Sequence, residues 1–482
     1  MGSDAIQARP RLGSGPCLVL ILAIAATATP ALAQTTAPLT IGEVIDAAVT
    51  ANPGPAEAAA RADAAAAAVD LARAAYLPKL DAMWQVTRAS RNNVFGAFFP
   101  QNVIPISGPV LGTDSFESAW GSAAGLVFSA EVFDFGRRGA QGREARAGRD
   151  AATAHADVAR LAAGVRAADL FLTAAGAAKV VEADTITVTR LTQLQTAVGA
   201  LVSADLRPGA DRARVDADLG AAQSRLYASE QALEVARIRL AVAIGQAGAT
   251  LALNAAPLLA ASPAALAADP DPAPAVVSGH PAVREGAALV QAATAARDAA
   301  RLVYRPTLLL QGALSARGSG ALLDGTIDNG TGLWPDVPNW TAGVSITFPL
   351  FDFGATRARV AQRMSFVTAA AARERALTDE ATGAAREARV MADAARRIAG
   401  TVPMRLAAAR DAAAQARARY DAGLTGIVDV VEAERVLAQA ESEAALAALA
   451  LWRARLAQAA AAGDLAPFVA DAAAPTGPPV VK

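Results

Sequence analysis

The chain repeats itself, and that repeat narrows the possible folds more than any other feature. Asn52-Pro53 and Tyr76-x-Pro78-x-Leu80 return as His280-Pro281 and Tyr304-x-Pro306-x-Leu308, 228 positions later (52 to 280, 78 to 306). Phe133-Asp134-Phe135-Gly136 returns as Phe351-Asp352-Phe353-Gly354, 218 positions later (133 to 351). The second offset then holds without a gap through Asp211 and Asp429 to Leu219 and Leu437. Alanine-rich sequence produces chance self-similarity, but the matching residues here are Phe, Asp, Gly, Pro and Tyr. A duplicated structural unit is the reading that remains.

Between the proline and FDFG anchors of each half, hydrophobicity alternates with period two. Trp340, Ala342, Val344, Ile346, Phe348 and Leu350 alternate with Thr341, Gly343, Ser345 and Thr347. Leu80, Ala82, Trp84 and Val86 alternate with Asp81, Met83, Gln85 and Thr87. Leu308–Leu314 and Trp120–Phe128 repeat the pattern more weakly. One apolar face and one small or polar face over ~10 residues suits a strand of a membrane barrel. Trp84, Trp120, Trp334 and Trp340 fall in these segments, as interfacial aromatic girdles would require. A soluble sheet with one buried face would read the same way. Gly/Asn/Pro/Ser-rich loops, 91–115 and 318–339, join the strands of each half. Four strands cannot close a barrel, because about eight is the smallest number that does. A barrel reading therefore requires several chains.

Long stretches of good helix formers flank the strands. Residues 137–202 and 355–421 contain a single proline, Pro403. At 1.5 Å per residue each would make a rod of ~100 Å, more than a compact domain uses. Returning helices are expected over 211–244 and 429–461, and leading helices over 41–75 and 282–303. Two short helices then run alongside each long one, with alanine at the seams permitting close approach.

The N-terminus is expected to be an export signal over 1–33. Arg9 and Arg11 precede an apolar run at 17–26, and Ala31-Leu32-Ala33 forms an A-x-A site. The only cysteine, Cys17, lies in that leader, so the remainder has no disulfide or thiolate metal site. No later run of 18 uncharged apolar residues offers a transmembrane helix. A formal net charge of −1 gives nucleic acid no electrostatic footprint. The domain reading is a signal (1–33), a first repeat (34–252), a Pro-rich linker (253–281), a second repeat (282–465) and a disordered tail (466–482). The DFG triplets come without a phosphate loop, strand lysine or catalytic loop. His155 and His280 stand alone, and no metal or nucleophile–base spacing is present. Neither an enzyme nor a cofactor is expected.

Four segments together carry a family resemblance. They are Asn52-Pro53, Tyr76-Leu77-Pro78-Lys79-Leu80, the FDFG pair, and Tyr420-Asp421-Ala422-Gly423-Leu424-Thr425-Gly426-Ile427-Val428-Asp429-Val430-Val431-Glu432. Over residues 40–461 the chain resembles the TolC-type outer membrane efflux proteins. The resemblance implies a mainly α fold with a transmembrane β-barrel portion. Each chain of a homotrimer would give one hairpin per half to a twelve-stranded barrel, which continues as a periplasmic α-helical tunnel. Implied partners are a periplasmic adaptor, an inner-membrane pump of the resistance-nodulation-division or ABC type, and outer-membrane lipid. Asp429 and Glu432 share one helix face and would form acidic rings at a pore constriction. The alternative is that both merely complement the helix dipole. Tyr420, Asp211 and Thr425 match closing links of the tip, with Thr425 where an arginine is often found. Pro78, Pro306, Gly136 and Gly354 would anchor the strands. The competing reading is a periplasmic coiled-coil scaffold or adaptor without a pore.

Overall fold

A computed structural model of the chain describes residues 38–90, 117–256, 258, 274–322, 326–349 and 353–473. The expected signal, the 91–115 loop, much of the linker and residues 474–482 lie outside the described residues. The chain is mainly helical. Its elements in order are α1 (Ile41–Ala51), α2 (Pro53–Ala74), β1 (Lys79–Ser90), β2 (Ser118–Phe133), α3 (Arg137–Ser203) and α4 (Gly209–Ala243). After α5 (Pro274–Gly279) the plan recurs as α6 (Pro281–Arg301), β3 (Thr307–Ser319), β4 (Val337–Thr347), α7 (Phe353–Asp421) and α8 (Ile427–Ala462), followed by α9 (Ala466–Ala473).

Three sequence expectations fail locally. The single leading helix over 41–75 is two helices, because Asn52 is extended (φ −73°, ψ 134°) and caps α2, whose first residue is Pro53. The tail expected to be disordered from residue 466 opens with α9, whose Phe468 is wholly buried edge-to-face against Trp452. Burial of that ring outweighs the cost of ordering a short helix. Trp334 lies between β3 and β4 and not in a strand.

The four strands form one antiparallel sheet in the order β1-β2-β3-β4. The register aligns Ala82, Leu126, Leu314 and Trp340 in one row across all four strands, and Leu80, Phe128, Gly312 and Ala342 in the next. This apolar face is the exposed one: Trp340 is 76 %, Leu314 66 % and Leu80 66 % accessible. The opposite face carries Ala123, Val127, Ala313, Thr341 and Ser345, which are partly or fully buried. A soluble sheet would have the reverse arrangement.

Below the sheet, the long helices pair as coils, α3 with α4 and α7 with α8. Buried residues of α7 recur at steps of three and four: Ala385, Ala388, Ala392, Ala395 and Ala399, then Ala409 and Ala413. They meet Leu437, Ala440, Leu451, Ala454 and Ala461 of α8. A 3.5-residue period of this kind makes a coiled-coil seam, with alanine setting a close spacing. Pro403 lies on an exposed position and α7 continues through it. The main core joins α1, the middle of α3, the ends of α4 and α8, and α9, around Val44, Phe171, Leu172, Leu240, Trp452 and Phe468. One stretch of α3 is long and apolar enough to cross a membrane by length and composition, although charges such as Arg166 and Asp169 leave it no run of 18 uncharged apolar residues. Phe171 and Leu172 of α3 are buried in this core.

Candidate functional site: the junctions and the tip

Three stations on each half determine how the sheet and rods are held. The first is the strand-to-helix junction. Phe135 and Gly136 both turn with positive φ (52° and 90°), reversing the chain between β2 and α3. Asp134 caps the new helix: its carboxylate accepts from the Gly136 amide at 3.0 Å and from the Arg138 amide at 2.6 Å. The Arg138 guanidinium donates to the same carboxylate at 2.9 Å and to the Ala75 carbonyl at 3.3 Å, and lies 4.5 Å above the Tyr76 ring. Burial alone would raise the pKa of Asp134. The hydrogen bonds from Arg138 and Gly136, with the charge of Arg138, instead hold it below the ordinary carboxylate value. Pro78 therefore sits just after the Tyr76 turn that Arg138 clamps. In the second half, the Tyr304 hydroxyl donates to the Phe353 carbonyl at 3.1 Å, and the buried Thr356 takes the place of Arg138. Pro306 leads into β3. Gly354 lies within the first turn of α7 without a positive φ, so it does not reproduce the turn at Gly136.

The second station joins each return helix to its leading helix. Asn52 accepts from the Gly54 amide at 2.8 Å and donates to the Ala243 carbonyl at 2.7 Å. His280 does both with its two ring nitrogens, bonding the Ala282 amide and the Ala460 carbonyl, each at 3.2 Å. The donating tautomer follows, with the proton on Nε2. Gly245 and Gly463 close the return helices with φ of 73° and 78°. A Cβ on either would fall 2.5 Å from the leading segment, at the Ala51 carbonyl oxygen or Pro281 Cδ.

The third station is the far tip, where the two coils of the chain meet. Both turns share one hydrogen-bond pattern: Leu206 to Leu201 and Leu424 to Arg419, Asp205 to Val202 and Gly423 to Tyr420. This is the Schellman closure of a helix, with Asp205 (φ 56°) and Gly423 (φ 74°) in the left-handed position. Leu194, Val198, Val215, Leu219, Ile427 and Val430 bring all four helices together around Tyr420, which is 2 % exposed. Burial, then the nearby charges of Asp211 and Asp421, push the Tyr420 pKa up, against the opposing pull of Arg207. Neither Tyr420 Oη nor Thr425 Oγ1 has a hydrogen-bond partner among the described residues, and both are buried. Asp211 and Asp429 both lie in the first turn of their helices. Asp429 is exposed, while Glu432, also exposed, is bound in a two-point salt bridge to Arg435 at 2.6 and 2.9 Å. The hydrogen bond from Arg435 is the main reason the Glu432 pKa is lowered. Of the two carboxylates expected to act together, Glu432 is thus held by an arginine of its own helix.

Two arginines had no place in the sequence reading. Arg207 reaches from the first tip onto Tyr420 of the second. Arg190 of α3 bridges Glu434 and Glu441 of α8, at 3.2 Å to the former, with all three side chains largely buried. Glu434 and Glu441 lie seven residues apart on one helix face, which was the available signal, but nothing marked Arg190 as their partner. Among the described residues, no cluster of His, Cys, Asp and Glu could hold a metal.

The model of the outer membrane efflux protein family matches residues 44–246 and 275–464, most of both repeats. The chain belongs to that family. It is accordingly an outer-membrane efflux protein, and the family's members are channels rather than enzymes. Its fold is similar to that of CmeC from Campylobacter jejuni, with a TM-score of 0.72 at 17% identity over 88% of this chain and 85% of that one. VceC from Vibrio cholerae gives 0.68 at 17% identity over 88% and 96%. The open state of MtrE from Neisseria gonorrhoeae gives 0.70 at 21% identity over 88% and 89%. No curated protein sequence matches the chain.

Proposed function

We propose that the protein is the exit duct of an envelope-spanning export system, a passive conduit fed by an inner-membrane pump through a periplasmic adaptor. After removal of the leader at 1–33, three copies would pool their sheets into a twelve-stranded barrel, and their coils would form a tunnel across the periplasm. The observation that carries this reading is the inverted sheet, with Leu80, Leu126, Leu314, Trp340 and Val344 turned outward and small or polar residues turned inward. Water would penalise such a face, whereas lipid would accept it. The strands have 12, 16, 13 and 11 residues, enough for the ~9–11 that a tilted strand needs to cross a bilayer. The two open edges, on β1 and β4, need partners that one chain does not supply. The test is fractionation and electrophoresis of the full chain. A heat-modifiable oligomer in outer membranes is expected, and a detergent-independent monomer in the soluble periplasm would return the scaffold reading.

At the tip, the reading places a constriction with Asp429 as its charged residue. Glu432 spends its charge on Arg435, so it adds little to a ring. Asp429→Asn should reduce cation over anion permeability in planar bilayers more than Glu432→Gln does. Equal effects would restore Glu432 to the ring.

A further inference from the structure

Position 207 of the first tip is the repeat equivalent of position 425 in the second (205 to 423, 207 to 425). The second tip has a short hydroxyl there, Thr425, and the first has a cation. That cation does not stay on its own turn. The Arg207 guanidinium lies 4.6 Å from the centroid of the Tyr420 ring, and Nη2 donates to the Tyr420 carbonyl at 3.1 Å. The contact joins the α3–α4 turn to the end of α7, 213 residues further along. The same carbonyl already closes the second turn by accepting from Gly423. Arg207 thus sits on a helix C-terminus, where the exposed carbonyls and the dipole favour a positive charge. The Tyr420 hydroxyl, in contrast, has no hydrogen-bond partner among the described residues.

We propose that Arg207 is the latch of the tip, binding the first coil to the second within one chain through the face and the carbonyl of Tyr420. This rests on the reading of the tip as the closed end of a duct. The ring, and not the hydroxyl, is then the receiving part, and Asp211 acts on Tyr420 only through space. Opening requires the guanidinium to leave an aromatic face and a helix end together. A partly desolvated contact of this kind shifts such an equilibrium by about 2-fold to 30-fold.

The test is the resting conductance of the purified full-length protein in planar bilayers. Arg207→Ala and Tyr420→Leu should each raise the open fraction within that range, and the double variant should exceed the stronger single by little. Tyr420→Phe, which keeps ring and carbonyl, should match the unaltered protein, and Arg207→Lys should fall between it and Arg207→Ala. Should Arg207→Ala fail to assemble, Arg207→Gln removes the charge at nearly constant length and should open the tip likewise. If Tyr420→Phe opens the tip as far as Tyr420→Leu, the hydroxyl is the latch and the proposal fails. If Asp211→Ala opens it while neither Arg207→Ala nor Arg207→Gln does, Arg207 is excluded and the closed-tip reading stands. If none of these substitutions changes conductance, the closed-tip reading fails and the latch with it.

Discussion

The two halves of the chain share backbone geometry at the tip and the helix joint, and differ in the side chains that secure it. At the tips, matched amides and carbonyls close both turns at the same offset. At the joints, Asn52 and His280 make the same pair of bonds with different chemistry. Charge is distributed unevenly. Arg138, Arg190 and Arg207 of the first half stand opposite Thr356, Ala408 and Thr425 of the second. Arg190 and Arg207 reach from the first half onto α7 and α8 of the second, while Arg284 and Arg453 of the second half reach back to Asp157 and Asp169 of α3. Duplication preserves the path of the main chain, and side chains can then diverge wherever another group supplies the same bond.

The largest difference is expected at the strand-to-helix junction. Asp134→Ala removes three hydrogen bonds and leaves the buried Arg138 only Glu131, 3.8 Å away, as a carboxylate partner, which should cost ~3 kcal/mol. Thr356→Ala at the matching position should cost only ~1 kcal/mol. Apparent thermal midpoints of the assembled protein would compare them, and equal losses would remove the asymmetry. The pH dependence has a definite sign. The folded pKa of Asp134 is depressed, so its contribution is complete at neutral pH and is lost as pH falls below the ordinary carboxylate range, ~4, through the depressed value. Asp134→Asn should flatten that acid limb.

Next come the helix-closing glycines. Gly245→Ala and Gly463→Ala each add a Cβ to a left-handed residue pressed against the other helix of its joint, and each should cost roughly 1–3 kcal/mol. If one is silent, the two joints are not equivalent. A smaller effect should separate the caps. Asn52→Ala should cost about 1–2 kcal/mol and His280→Ala less, following the shorter bonds of Asn52. His280→Asn should fall within about 0.5 kcal/mol of the starting protein. The smallest effect is at the tips. Asp205→Gly should stabilise by a few tenths of a kcal/mol and Gly423→Asp should destabilise by a similar amount, because glycine carries no Cβ penalty at positive φ. Denaturant midpoints would resolve the pair.

The repeat made the paired coils, the hairpins and both tips legible, because Pro, Tyr, Asp and Gly at fixed offsets mark turns whose geometry few other residues adopt. The same offsets identified His280 as a counterpart of Asn52. The break at Asn52 was legible as an asparagine cap before proline, but alanine continuity on both sides obscured it. Arg207 is not legible as part of the tip because the resemblance puts an arginine at position 425, whereas the cation stands at the equivalent place in the first tip. Arg190 and its two glutamates are separated by more than 240 residues, and no local pattern joins them. The ion pair of Glu432 depends on Arg435, one turn beyond the segment that carried the resemblance. Spacing gave the shared helix face but not the arginine that pairs with Glu432.

The outer edges of the sheet are unlike one another. Three antiparallel pairings leave β1 and β4 running in opposite directions, one at each margin. In the barrel proposed above, contact between copies would be head to tail, and two or more chains would give an all-antiparallel ring with an even strand count. A copy with one margin blocked would still accept a neighbour on the other. In a mixed population it would enter rings it cannot finish, so a defect confined to either margin should behave as genetically dominant.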